Sequence, residues 1–181
     1  MLPALRLVSD AAEFAAHRHT GMARKGRGDE PYINHLAEVA NLLAAATDGG
    51  DAELVAAGWL HDTVEDTGTT REELAQKFGE RVAALVVEVT DDMKLSQPER
   101  RQKQIEDAPH KSPGAKLIKI ADKVSNIRAR MAPHPSEEQR VELAAYMSWA
   151  EKVVAGCRGV NPKLDTKFDE TVRAAKSALG G

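Results

Sequence analysis

Residues 80–90 read ERVAALVVEVT, and whether this stretch is strand or helix decides the fold class. Its β-branched residues favour a strand. The spacing points the other way: Val82, Leu85, Val86 and Val89 recur at three- and four-residue intervals, the period of a helix with one apolar stripe. A buried helix is therefore expected here. Upstream, Thr70 with Glu73 three residues later makes a capping box for a short helix that closes at Phe78 before Gly79. Downstream, 91–97 is a polar loop containing Lys94, and Pro98 opens a charged, exposed helix to about Asp107. After a break at 109–114, residues 115–131 (AKLIKIADKVSNIRARM) are amphipathic: Leu117, Ile120, Ala121, Val124 and Ile127 line one side, Asp122 and Asn126 the other.

Helix signals continue to both ends. Asp10 and Glu13 predict a capping box that starts a helix running to about Thr20, with Phe14 and Ala15 inward. Pro31 starts a second helix to about Ala46, its core stripe formed by Leu36, Val39, Ala40, Leu42 and Leu43. A third helix follows the TDGGD break and ends near Thr67 and Gly68. Ser136 with Gln139 caps a long helix to about Arg158, and Asn161-Pro162 opens the last. No internal repeat, low-complexity run or linker interrupts them. The expected fold is all-α, a compact helical bundle of about eight to ten helices forming a single domain over residues 1–181.

Composition narrows the function classes. The 181 residues are 42% hydrophobic but only 4% aromatic, and alanine with Glu, Lys and Arg dominates, as in helices packed on helices. A net charge of −3 argues against a general nucleic-acid binder, which is basic overall. Cys157 is the single cysteine, so no internal disulfide forms, and a small core residue is its ordinary reading. No apolar run reaches bilayer length, and the N-terminus lacks a signal peptide's pattern. A soluble cytoplasmic protein with no membrane partner is expected.

Residues 58–66, GWLHDTVED, carry the chemistry. Placed on one helix, His61, Asp62, Glu65 and Asp66 fall within an arc of about 140°. Three carboxylates so close repel one another, and a divalent cation would offset that. A solvated acidic helix end is the plain alternative. His35 lies in the first turn of the second helix. Asp122 borders an apolar stripe, where a solvated acid is less comfortable; Lys119 and Lys123 flank it, and an ordinary exposed Asp–Lys face is the plain alternative. Two imidazoles and two carboxylates from three helices suit manganese, iron or zinc, with coordination left for water and a phosphate oxygen. Arg24, Lys25 and Arg27 crowd a glycine-rich loop of an otherwise acidic chain. They make either a solvated turn or a phosphate clamp.

The pattern H…HD…D resembles the metal signature of the HD-domain phosphohydrolases. The longer segments, HTGMARKGRGDEPYINHLAEVA, GWLHDTVEDTGTT, FGERVAALVVEVTDD and KLIKIADKVSNIRA, resemble in order the hydrolase domain of the RelA/SpoT group over about residues 10–149. The chain has no room for the other domains of the long members and resembles a stand-alone small alarmone hydrolase of the metazoan SpoT-like type. The resemblance implies a compact helical HD-domain bundle in which His35, His61, Asp62 and Asp122 hold one Mn²⁺. It implies that Glu65 and Asp66 position and deprotonate the attacking water. Arg24 and Lys25 would contact the nucleotide, the arginine against guanine. Asn126 and Tyr146 would lie near ribose and phosphates, and Lys94 would bind phosphate. The implied substrate is guanosine tetra- or pentaphosphate (ppGpp or pppGpp), split to GDP or GTP and pyrophosphate. The family often has Gln where Met22 stands and Pro where Leu36 stands; neither is a proposed ligand. Another HD substrate, such as the 2′-phosphate of NADPH or a simple nucleotide, and a non-catalytic nucleotide-binding domain are the rival readings. Oligomeric state is not legible in the sequence.

Overall fold

The structure is a computed structural model that describes residues 3–24, 28–132 and 134–180. Among these residues the chain is a bundle of α-helices with one 3-10 turn and no strand. In order, α1 spans Ala4–Arg18, α2 Ile33–Ala46, α3 Ala52–Leu60, α4 Thr63–Thr67, α5 Arg71–Phe78, α6 Glu80–Val89, α7 Gln97–Asp107, α8 Pro113–Arg130, α9 Glu137–Ala155 and α10 Pro162–Gly180, the 3-10 turn being Ala108–His110. The ambiguous β-branched run is a helix, α6, burying Val82, Ala83, Leu85, Val86 and Val89.

At the centre lies α3. Its sequence AELVAAGWL is apolar on nearly every side, which only a helix surrounded by others can satisfy. It packs against α1, α2, α6 and α8. Gly58 permits the approach to α2: a Cβ there would meet Leu43 Cδ1 at 2.6 Å and Ala40 Cα at 3.3 Å. The core between these helices is built from Leu36, Leu43, Leu54, Leu60, Ile118, Ile120 and Ile127, each essentially inaccessible.

Several expected boundaries shift; α2 opens at Ile33 rather than at Pro31. α1 begins at Ala4, so Asp10 is not a cap; its carboxylate instead pairs with Arg6 one turn earlier, at 2.7 Å. The expected single helix through residue 67 is two helices, because the chain turns at His61 and Asp62. Local side chains take over the carbonyls at the end of α3: His61 Nδ1 bonds Gly58 O at 2.9 Å and Thr63 Oγ1 donates to Leu60 O at 2.6 Å. Such bonds compete with the helical ladder and end it. Gly68, at φ 70°, closes α4 in the left-handed conformation. Thr70, Ser136 and Asn161 each accept from the backbone three residues on; the box closes at Ser136 with Gln139, whereas Glu73 pairs with Arg18 instead of closing the box read at Thr70. Before α2, Ala23 and Pro31 form an isolated antiparallel bridge. Arg24 N donates to Glu30 O at 2.8 Å and Tyr32 N to Met22 O at 2.9 Å, closing the basic loop.

Candidate active site

Three elements bring four side chains together. The first turn of α2 carries His35, the junction of α3 and α4 carries His61 and Asp62, and the middle of α8 carries Asp122. His35 Nε2 is 3.4 Å from Asp62 Oδ2 and 3.4 Å from Asp122 Oδ1. His61 Nε2 is 3.1 Å from Asp62 Oδ2 and 3.9 Å from Asp122 Oδ1. Donor atoms of His35, His61 and Asp62 all lie within 4.8 Å of one another. An ion with ligand bonds of about 2.1 Å holds neighbouring ligand atoms roughly 3.0–3.4 Å apart, which three of these four distances match, the His61–Asp122 one being longer. His61 Nε2 is buried and has no hydrogen-bond partner, as expected of a nitrogen whose lone pair is reserved for a cation. The residues therefore fit a divalent metal with mixed nitrogen and oxygen ligands.

The surrounding groups orient the ligands. Ser125 Oγ donates to Glu38 and accepts from Arg24 Nη2 at 2.7 Å. Its hydrogen is then committed, so the 2.9 Å contact with His35 Nδ1 has the imidazole donating. That leaves the Nε2 lone pair facing the cluster, the outer-shell arrangement that fixes a ligating tautomer. Tyr32 OH donates to Asp62 Oδ2 at 2.6 Å. Asn126 Nδ2 donates to Asp122 Oδ1, and Lys123 Nζ donates to Asp122 Oδ2 at 2.8 Å.

The electrostatics show how strongly the cluster demands positive charge. Burial alone would lower His35, but bonding to Asp122 and Asp62 wins and pushes it up to about 9. His61 is raised too, its burial outweighed by Asp62. Burial would raise Asp122, yet Lys123 and His35 hold it below the usual carboxylate range. Protons on the imidazoles and a bound cation answer the same need. Glu65 behaves oppositely. Its own burial, then the charges of Asp62 and Asp91, raise it to about 7, against the lowering effect of a hydrogen bond from Asp91 N. A carboxyl poised near neutrality can both accept and return a proton.

A cavity of about 260 Å³ opens over this cluster, lined by the acids Asp62, Glu65 and Asp122 with Tyr32 and His61. Arg100, Arg101, Lys119, Lys123 and Arg130 also line it, with Gln104, Tyr146 and Trp149. Asp66, on the next position of α4, lines a second cavity of about 400 Å³ with Met22, Arg24, Tyr32, Asn126 and Arg130. Tyr32, Asn126 and Arg130 border both.

Of the other residues singled out in the sequence, Tyr146 is buried, with the Arg130 guanidinium 3.9 Å above its ring. Arg24 is turned inward: it is 7% exposed and its guanidinium is held by Ser125 O at 2.8 Å and flanked by Glu30 and Glu38. Lys25 lies outside the described residues. Lys94, expected to bind phosphate, is exposed and lines neither cavity; its backbone N–H turns to Asp92 Oδ1 at 3.0 Å. Lys119 and Lys123, read as an exposed flank, are buried. Lys119 Nζ donates to Val89 O at 2.7 Å, and burial followed by the Lys123 charge lowers its pKa. The sequence reading missed Tyr32, Ser125, Glu38, Arg100 and Arg101. Tyr32 had a signal, three residues before His35; the α7 cations had none, because a charged helix reads as solvated until the cavity beside it is seen.

The HD-domain family model matches residues 11–151. The chain belongs to the HD-domain family, in its MESH1 branch. It is 47% identical over 158 residues to the Mus musculus guanosine-3′,5′-bis(diphosphate) 3′-pyrophosphohydrolase MESH1, covering 86% of this chain and 87% of the mouse protein. The Aquifex aeolicus guanosine-3′,5′-bis(diphosphate) 3′-pyrophosphohydrolase is 38% identical over 140 residues, which are 76% of this chain and 19% of that longer protein. A solved structure described as a metazoan orthologue of SpoT that hydrolyses ppGpp superposes with a TM-score of 0.85 at 37% identity, covering 96% of this chain and 97% of that one. In this HD domain the matched residues 11–151 include every member of the His–Asp cluster. Among its described residues no helix is long and apolar enough to cross a membrane.

Proposed function

We propose that this HD domain is a manganese-dependent hydrolase of guanosine 3′,5′-bis(diphosphate) and its pentaphosphate, releasing pyrophosphate and GDP or GTP. The observation that carries the reading is the convergence of His35, His61, Asp62 and Asp122 at the floor of a cation-lined cavity beside Glu65. The relatives' hydrolase activity on this substrate supports it. Residues 1–181 act as one domain, in the cytoplasm, on a small nucleotide rather than on nucleic acid or membrane.

His35, His61, Asp62 and Asp122 would hold the metal. A divalent ion there supplies a lowered pKa to a water and a Lewis acid to a phosphoryl oxygen. The protein does the rest. Glu65 and Asp66, adjacent on α4, position the attacking water and take its proton; Glu65 is set for this by its pKa near 7. Lys119, Lys123, Arg100, Arg101 and Arg130 offset the charge of a substrate that carries two diphosphates. Asn126 and Tyr146 would lie near ribose and phosphates, and Arg24 and Lys25 would contact the base.

The test is incubation of manganese-loaded protein with guanosine tetraphosphate, following GDP and pyrophosphate. Release of both in equal amounts is expected. Orthophosphate from the 2′-position of NADPH, with guanosine tetraphosphate left intact, would move the reading to the other substrate. Loss of turnover with either nucleotide would leave a binding domain.

A further inference from the structure

His19 stands just past α1, outside the ligand set, and the hydrolytic scheme gives it no task. Its side chain is fully buried. Its Nδ1 lies 2.9 Å from Ala15 O; a carbonyl only accepts, so Nδ1 carries the hydrogen. The other nitrogen, Nε2, is buried without a hydrogen-bond partner and faces Asp66 Oδ2 at 3.9 Å. Leaving a buried ring nitrogen unmatched is costly, so it should serve something. The ring is also stacked on Tyr32, centroids 5.3 Å apart and planes 16° from parallel, and Tyr32 is the residue that donates to Asp62.

We propose that His19 is a positioning residue for the hydrolytic step: its Nε2 holds the Asp66 carboxylate turned toward the water, while its face braces Tyr32 against Asp62. One imidazole thereby sets two of the three acids of residues 61–66, Asp66 through Nε2 and Asp62 through the stack on Tyr32. The proposal rests on Asp66 acting in proton removal. With Nδ1 committed to Ala15 O, Nε2 bonds Asp66 through one shared proton, carried by the ring or by the carboxyl; the 3.9 Å separation closes by a small rotation of the partly exposed Asp66 side chain.

The test separates nitrogen from ring. His19→Phe keeps the stack on Tyr32 and the buried volume but removes Nε2. It should lower kcat about tenfold to a hundredfold with KM and bound-metal stoichiometry within about twofold of the parent. His19→Gln, whose amide reaches the Nε2 position, should recover most of kcat. A His19→Phe enzyme with parental kcat overturns the proposal, and so does a loss of metal that accounts for the whole defect. Should His19→Phe not fold, His19→Gln is compared with His19→Asn, whose shorter amide cannot reach Asp66: about tenfold higher kcat for Gln is expected, and equal rates overturn the proposal. Asp66→Asn, run in parallel, tells the two failures apart. If that variant still turns over, the role of Asp66 itself has failed; if it is inactive while His19→Phe is unimpaired, only the role of His19 has.

Discussion

Asp66 and Glu65 are neighbours on one short helix yet meet different surroundings, one facing each cavity. Replacing Asp66 with Asn keeps the shape and removes the base. Turnover should fall by at least about a hundredfold, while metal analysis finds the ion still bound, since Asp66 is not among the four proposed ligands. Tyr32→Phe should do the reverse. It removes the hydroxyl that donates to Asp62 Oδ2 but leaves the ring on His19. Support of this kind typically contributes ten- to hundredfold in affinity, so titration calorimetry with Mn²⁺ should show a Kd weaker by about tenfold. His61 and Asp62 were legible from type and spacing, because acids crowded beside a histidine on one polar stripe repel one another unless a cation joins them; His35 and Asp122 gained meaning only in combination with that pair. Tyr32 and Ser125 were not: a phenol and a hydroxyl acquire meaning only from what they touch, and their partners come from another helix.

Helix α2 is tied to α8 behind the metal site by Glu38, which accepts from Ser125 Oγ and from Arg128 Nη1 at 2.9 Å. Burial alone would raise Glu38, but those bonds and the Arg128 and Arg24 charges more than offset it and lower its pKa from 4.5. Folded Glu38 therefore binds its proton less readily than unfolded Glu38. Its stabilisation is complete above about pH 4.5 and is lost as the pH falls below that value. Thermal melts between about pH 5 and pH 3 should show a steep fall in Tm for the parent and a shallower one for Glu38→Gln. Most helices could be read from caps and periodicity, α6 included. The break at His61 could not, because it depends on side chains competing for carbonyls rather than on a glycine or proline. Reading one helix through residues 58–66 found the clustered residues with the wrong backbone, since a tight turn keeps Glu65 and Asp66 near the His–Asp pair, where a straight helix would also have placed them.

For the molecule as a whole, three helical segments distant in sequence meet at one acidic cluster, and a bound cation would link them. An ion that binds only the folded state stabilises it by about 2.7 kcal/mol at one hundred times its Kd. For a chain of this length that is roughly 5–10 °C in Tm. Calorimetry should show this loss on chelation and its recovery on adding Mn²⁺. An unchanged Tm would mean that the cluster does not hold the ion.

Two of the cavity's cations, Arg100 and Arg101, stand on α7, an element unlike the rest. No described residue of α7 is fully buried; Ile105 is partly covered by the core. The helix is moored by polar bonds, Trp149 Nε1 to Arg101 O at 3.0 Å and Gln104 Nε2 to Asp91 Oδ2 at 2.6 Å. Breaking such moorings costs far less than opening α3 or α8. Amide hydrogens of residues 97–107 should exchange orders of magnitude faster than those of α8, and a bound nucleotide should slow them selectively. The doorway and the catalytic floor thus have separate thermodynamic lives, so entry and departure of a bulky polyanion need not disturb the centre that cleaves it.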